Sequence, residues 1–410
     1  MASDPDSEMW EPSPDHTLQE EVASRLVPEF DPGIHITFRE PHSVLTMEDL
    51  GLANDLGVSS VAVTQPFPLF SSEAVQIMRT EIAKPEIKRY HHFTSNIATS
   101  QLRGYARQYA PFTYAAWNHP KTVAIVSKLA GVDLVPWGDY EIAHVNLSLS
   151  DQNGPNAVVS DTQLSSWRGE RPIVGWHTDS YPFVCVLMLS DCTEMVGGET
   201  AVRSVNGDVT CMPGFAEGYA VVLQGRHVTH QALRPAGAQE RITAVTSWRP
   251  RSPFVKDESV LTTVRPISDI NELYFDLVTY RLEMMKRRIE QAWTTMRARR
   301  IEGSGFDTAC VKLFWQELGQ LAHNTDHQLV AEEEIRKGFV DYTPRPAGTY
   351  FEDTPLMFMR VGNAPEVVRY DLFWIKSELK ARERHADKKC KKHLDTSATK
   401  GIYLIFSASR

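Results

Sequence analysis

Cysteine is scarce in this chain. The five present (Cys185, Cys192, Cys211, Cys310 and Cys390) are widely spread and include no CxxC pair, which argues against a zinc ribbon or a disulfide scaffold. They read as reduced thiols of an intracellular protein. Positive charge is not in excess either. A formal net charge of −9 lacks the cationic surface that general nucleic-acid binding needs. Long apolar runs are missing: the most apolar one, Phe183 to Leu189, falls far short of the roughly 20 residues that span a bilayer. The opening MASDPDSEMWEPSPD is acidic and proline-rich, opposite to the basic-then-apolar order of a signal peptide. The expectation is a cytoplasmic protein with neither nucleic-acid nor membrane partners. No internal repeat is visible.

What remains is ordinary globular composition, 42% hydrophobic and 23% charged, in a chain long enough to bury a large core. Residues 1–30 read as a flexible acidic lead-in. Residues 31–136 read as a mixed α/β part packing on the core, with helices at Ser72 to Lys84 and Pro120 to Leu129. Between them, RGYARQYAPFTYAAWNHP is aromatic and irregular. Over 137–252 the pattern changes to short runs rich in β-branched and aromatic residues, such as FVCVLMLS, GYAVVLQG and RITAVTSW, separated by turn signals. Short strands without intervening helices predict a mainly β core, an antiparallel sandwich or barrel, with α additions. Residues 253–375 read as a helical extension. Its long charged helix, Asp269 to Arg300, is broken by glycines at 303 and 305 and followed by a second helix from Asp307 to His323. This helical hairpin either braces the core or supports a homodimer. Residues 376–410 form a basic tail whose lysines and arginines read as a solvated face.

The chemistry concentrates in VGWHTDSYPF. Residues two apart share a face of an extended strand, so His177 and Asp179 project to one side. An imidazole and a carboxylate are two ligands of a facial triad, and a second histidine completes it while leaving metal positions open. The segment GRHVTHQALRP offers two, His227 and His230, which face opposite ways on a strand. Further on, QERITAVTSW places Arg241 and Thr243 on one strand face. A guanidinium fork with an adjacent hydroxyl suits a carboxylate.

The order HxD, then histidine about fifty residues on, then Arg-x-Thr about ten beyond, resembles the iron(II)- and 2-oxoglutarate-dependent dioxygenase superfamily. That spacing selects His230, since His227 would widen the second interval. MVGGETAVRS also resembles a Gly-Gly-Glu-Thr turn seen in many members, and the stretch from Asp139 to about Pro250 is similar to fungal small-molecule (secondary-metabolite) oxygenases. The resemblance implies a double-stranded β-helix, a cupin-like jelly roll flanked by N-terminal helices and a C-terminal helical hairpin. It implies Fe(II) held by His177, Asp179 and His230, and 2-oxoglutarate anchored by Arg241 and Thr243. Dioxygen would then drive oxidation of an unactivated C–H bond, by hydroxylation, desaturation or ring closure, releasing succinate and carbon dioxide. Halogenases of this kind carry a small residue where Asp179 stands, so halogenation is disfavoured.

The sequence names no substrate-binding residue and no substrate. Asn146 either faces the cosubstrate or is an ordinary sheet position. His91, His92 and His144 read as structural or solvated, and Gly197 and Gly198 as turn residues. Trp176, Tyr181 and Phe183 read as core before pocket, and Met284 and Met285 as helix packing. Two rival functions remain: an iron oxidase of the same fold that dispenses with 2-oxoglutarate, and a non-catalytic jelly-roll binding module.

Overall fold

The computed structural model describes residues 28–53, 55–98, 100–149, 174–236 and 240–341. The expected lead-in up to residue 27, residues 342–375 of the helical extension and the basic tail lie outside the described residues. Two compact units are distinguished. One comprises Met1–Met285 with Gln320–Pro355, and the other Lys286–Gly319 with Leu356–Arg410.

The first unit is built on antiparallel sheets that form a jelly-roll-like core. The strands are β1 (Val44–Thr46), β2 (Val61–Thr64), β3 (Phe67–Pro68), β4 (His92–Phe93), β5 (Gln101–Leu102), β6 (Leu134–Pro136), β7 (His144–Leu149) and β8 (Val174–His177). They continue with β9 (Phe183–Met188), β10 (Val196–Gly197), β11 (Thr200–Arg203), β12 (Val209–Met212), β13 (Tyr219–Leu223), β14 (Thr229–Ala232), β15 (Pro235–Ala236) and β16 (Glu240–Pro250). Among the described residues, the larger sheet runs β1-β2-β13-β9-β16-β7-β5-β4, with β3 on β13 and β6 on β16. The smaller runs β12-β11-β14-β8. Segment 31–136, expected to pack on the core, thus also supplies strands β1 to β6 of the larger sheet.

The central strands are buried on both faces, and their two-residue period sorts side chains between two interiors. On β9, Phe183, Cys185 and Leu187 enter a core shared with the N-terminal helices, whereas Val184 and Val186 turn to the opposite side. On β16, Ile242, Ala244 and Trp248 join the helix-side core, while Arg241, Thr243, Val245 and Ser247 line a cavity.

Helix α1 (Ser72–Ile82) starts at Ser71, whose hydroxyl accepts from the Ala74 N–H at 3.3 Å. A second helix, α2 (Pro111–Asn118), occupies the stretch expected to be irregular. Its first turn is capped from a distance: the buried Glu81 carboxylate accepts from the N–H groups of Phe112 and Thr113, both at 2.9 Å. Helix α3 (Pro120–Ala130) begins on proline and ends on Gly131, which adopts the left-handed φ of 70° that favours glycine.

Two long helices follow, α4 (Ile270–Ile301) and α5 (Thr308–Gln328), as the spacing predicts. Within the first unit, Leu273, Leu277, Tyr280 and Met284 of α4 pack with Trp137, Tyr140 and Tyr181. Met284 is buried there and Met285 partly so. The Gln328 side chain accepts from the Leu261 N–H at 2.7 Å. No described helix is long and apolar enough to cross a membrane.

Candidate functional site

Strands β14 and β8 are neighbours, and their register sets His230 directly opposite His177. Directly opposed residues project to the same face, and here the ring centroids are 4.2 Å apart. Each ring is held the same way. His177 Nδ1 lies 2.7 Å from the Gly175 carbonyl, and His230 Nδ1 lies 2.9 Å from the Val228 carbonyl. A carbonyl only accepts, so each Nδ1 carries a proton, and in the neutral ring that leaves the Nε2 lone pair as the ligating one. Such outer hydrogen bonds commonly orient metal-binding imidazoles.

Both Nε2 atoms turn to Asp179, at 3.5 Å from Oδ1 for His177 and 3.6 Å from Oδ2 for His230. Asp179 lies just past the end of β8, anchored by its N–H on the Gly225 carbonyl at 2.7 Å. Its Oδ2 is buried without a hydrogen-bond partner among the described residues. Burial pushes the Asp179 carboxyl up, but His230 and His177 outweigh it and bring it below the ordinary value. Burial likewise lowers His230, to about 4, so its ring is neutral at neutral pH.

Lone pairs that converge without protons between them, around an orphaned buried oxygen, call for a cation. One candidate donor atom from each of the three residues lies within 4.8 Å of the others. A metal with ligands at about 2.1 Å holds right-angled neighbours about 3 Å apart, so the spacing closes with small side-chain movement. Two imidazoles and one carboxylate suit a divalent transition metal.

Gly225 belongs to this arrangement although no sequence pattern marks it. A Cβ at that position would stand 2.0 Å from Asp179 Oδ2. His227 is turned elsewhere. Its Nε2 bonds Glu258 at 2.5 Å, and burial's upward push on Glu258 is outweighed by His227 and Lys256, which hold the carboxyl at about 2.

The triad opens on a cavity of about 110 Å³. Arg241 and Thr243 line it, both almost wholly buried. Arg241 Nε donates to the Gly198 carbonyl at 3.1 Å, and the guanidinium makes no ion pair among the described residues. Gly198, read as a turn residue, has φ of 78°, so it also aims its carbonyl at Arg241. Burial brings the Arg241 pKa down to about 10, which leaves it charged at neutral pH.

Valines 174, 184, 186 and 245 contribute apolar lining to the cavity, and Gln101, Arg103, Glu141, His144 and Asn146 polar lining. Arg103 and Glu141 form a buried ion pair, and Arg103 Nη1 donates to His144 Nδ1 at 2.9 Å. Of the two readings, structural or solvated, His144 is therefore the structural one. His91 is structural, bonded to the Arg103 carbonyl, and His92 is solvent-exposed, bonded to the Ser100 hydroxyl. Of the three aromatics, Tyr181 lines the cavity, Phe183 is in the core, and Trp176 lies under the Arg203 guanidinium at 3.8 Å. Gln101 and Arg103 stand two residues apart in one short segment, whereas Glu141 comes from a distant one that no spacing in the sequence links to them.

No family model matches this chain, and no curated protein matches it. Solved structures do. One is an oxidoreductase of the 2OG-Fe(II) oxygenase family from Burkholderia pseudomallei, at 14% identity over 52% of this chain and 93% of that one, with a TM-score of 0.34. The non-heme alpha ketoglutarate dependent epimerase SnoN from nogalamycin biosynthesis matches at 12% identity over 47% and 79%, TM-score 0.32. A prolyl-4-hydroxylase from Pseudomonas putida matches at 16% identity over 44% and 88%, TM-score 0.29. At scores this low the likenesses carry no weight for what this chain does. Its own side chains must.

Proposed function

We propose that the protein is a mononuclear non-haem iron(II), 2-oxoglutarate-dependent oxygenase that oxidises a C–H bond of a small molecule of the secondary-metabolite kind. The observation that carries this reading is the convergence of two imidazole lone pairs and one carboxylate around a buried, unpartnered oxygen. In it, His177, Asp179 and His230 hold the iron. Iron bound there would supply dioxygen activation coupled to oxidative decarboxylation of 2-oxoglutarate to succinate and carbon dioxide.

The remaining work belongs to the chain. Gly175 and Val228 fix the imidazole protons away from the metal position. Arg241, a buried cation without an ion-pair partner among the described residues, binds the distal carboxylate of 2-oxoglutarate, and the Thr243 hydroxyl adds a hydrogen bond. A neutral occupant would leave that charge uncompensated in a dry site, which is costly. This feature favours 2-oxoglutarate over an oxidase that lacks the cosubstrate. The valine wall excludes water from the C–H bond being oxidised.

Anaerobic titration of the protein with Fe(II) and then 2-oxoglutarate tests the reading. A visible charge-transfer band, with succinate formed on admitting oxygen, is expected. Tight iron binding without the band would retire 2-oxoglutarate. Absence of iron binding would retire the enzyme.

A further inference from the structure

The polar side of the cavity contains a hydrogen-bond chain whose polarity is fixed at one end. Arg103, locked to Glu141, has only donors, so the His144 Nδ1 at 2.9 Å must accept. Burial and the nearby Arg103 cation hold His144 well below its usual pKa, and the ring is neutral. The single ring proton therefore sits on Nε2. One terminal atom of the Gln101 amide lies 3.1 Å from that Nε2, and the same atom lies 3.0 Å from one terminal atom of the Asn146 amide.

The oxygen and nitrogen of a primary amide exchange places by a half-turn, so the partners decide between them. Facing Nε2–H, the shared Gln101 atom must be oxygen. Facing that oxygen, the Asn146 atom must be nitrogen. The oxygen of Asn146 is then its other terminal atom, which has no hydrogen-bond partner among the described residues. Asn146 lines the cavity and pairs across the sheet with Thr243.

We propose that Asn146 is a specificity-determining residue, turned by this relay so that its side-chain oxygen accepts a hydrogen bond from a hydroxyl or amide N–H of an uncharged substrate. The inference rests on the oxygenase reading for calling the occupant a substrate. An acceptor oxygen in this place repels carboxylates, so that atom does not hold the cosubstrate. An ammonium substrate would share the cavity with Arg241 and the metal charge. A neutral alcohol or amide meets neither penalty.

The test uses the metal-free, full-length protein, so that failure of iron binding is scored separately. Nitrogen-15 NMR of His144 should show a protonated Nε2 and a pyridine-like Nδ1; the reverse tautomer overturns the relay. Cyclohexanol and cyclohexyl methyl ether, alike except for the donor, are then titrated while the Asn146 side-chain NH2 resonances are followed. One neutral hydrogen bond is worth about 1 kcal/mol, so the alcohol should bind about fivefold more tightly. Asn146→Leu should erase that preference. Equal affinities, a preference for the ether, a preference that survives in Asn146→Leu, or no saturable shift with either probe would each overturn the proposal. If Asn146→Leu does not fold, the tautomer and the wild-type preference still decide it.

Discussion

His227 and His230 stand three residues apart, each beside a carboxylate, and they have opposite characters. His227 closes on Glu258 at 2.5 Å, a finished hydrogen bond with Lys256 on the other carboxylate oxygen. His230 stops 3.6 Å from Asp179, and the nearer oxygen has no hydrogen-bond partner. A short His–carboxylate contact is a structural clasp. A longer one, with both lone pairs turned inward and the imidazole proton tied behind, is a seat for a cation. The sequence presents two similar histidines, and geometry separates them.

Replacing the two residues in turn puts that contrast at greatest risk. His230→Ala should abolish iron binding and succinate production, measured by iron titration and product assay; activity that persisted would break the comparison. Arg241→Ala should leave iron affinity largely intact while raising the 2-oxoglutarate requirement about a hundredfold, as expected for two charge-assisted hydrogen bonds lost. An unchanged requirement would detach the cationic anchor from the site.

Gly225→Ala sharpens the contrast from behind. The new methyl must push Asp179 aside, so iron should bind about ten- to a hundredfold more weakly, the range seen for outer-shell changes. His227→Ala should spare iron binding and cost about 2 kcal/mol of stability in denaturant unfolding, because buried Glu258 loses a partner. Lost iron affinity in that variant would merge the two histidines again.

The smallest effect concerns a carboxylate without compensation. Burial, and then the neighbouring acids Asp139, Glu141 and Glu272, raise Asp276 to about 6, against the pull of its Tyr140 N–H bond. Its folded pKa lies above the unfolded one, so stability is fullest below about pH 4 and falls as pH rises to about 6. Asp276→Asn keeps an acceptor for Tyr140 and should gain about 1 kcal/mol at pH 7, after allowance for solvent, and nothing at pH 3.5. A gain independent of pH would assign the effect to something other than charge.

Much of the β core was legible. RITAVTSW alternates as β16 does, and the glycines at 303 and 305 mark the break between α4 and α5. The positions of His177, Asp179, His230, Arg241 and Thr243 around one cavity follow from spacing that a single strand and its neighbours can carry. Elements stabilised from afar could not be read. Helix α2 looks irregular because its cap is Glu81, about thirty residues earlier, and no local pattern shows a distant carboxylate on two helix N–H groups. The strands of segment 31–136, expected only as part of a mixed α/β region, were not placed individually for a related reason: several are two or three residues long and gain their identity from the sheet they join. The relay through Arg103, His144 and Gln101 depends on cross-strand register, which spacing along the chain does not encode.

The alternation along β16 has a practical reach. Positions 245 and 247 can be redesigned to reshape the cavity while 242, 244 and 248 continue to hold the scaffold. Lengthening or shortening this strand by one residue before position 241 would instead exchange the two roles wholesale, driving a guanidinium into the apolar core and opening the cavity to tryptophan.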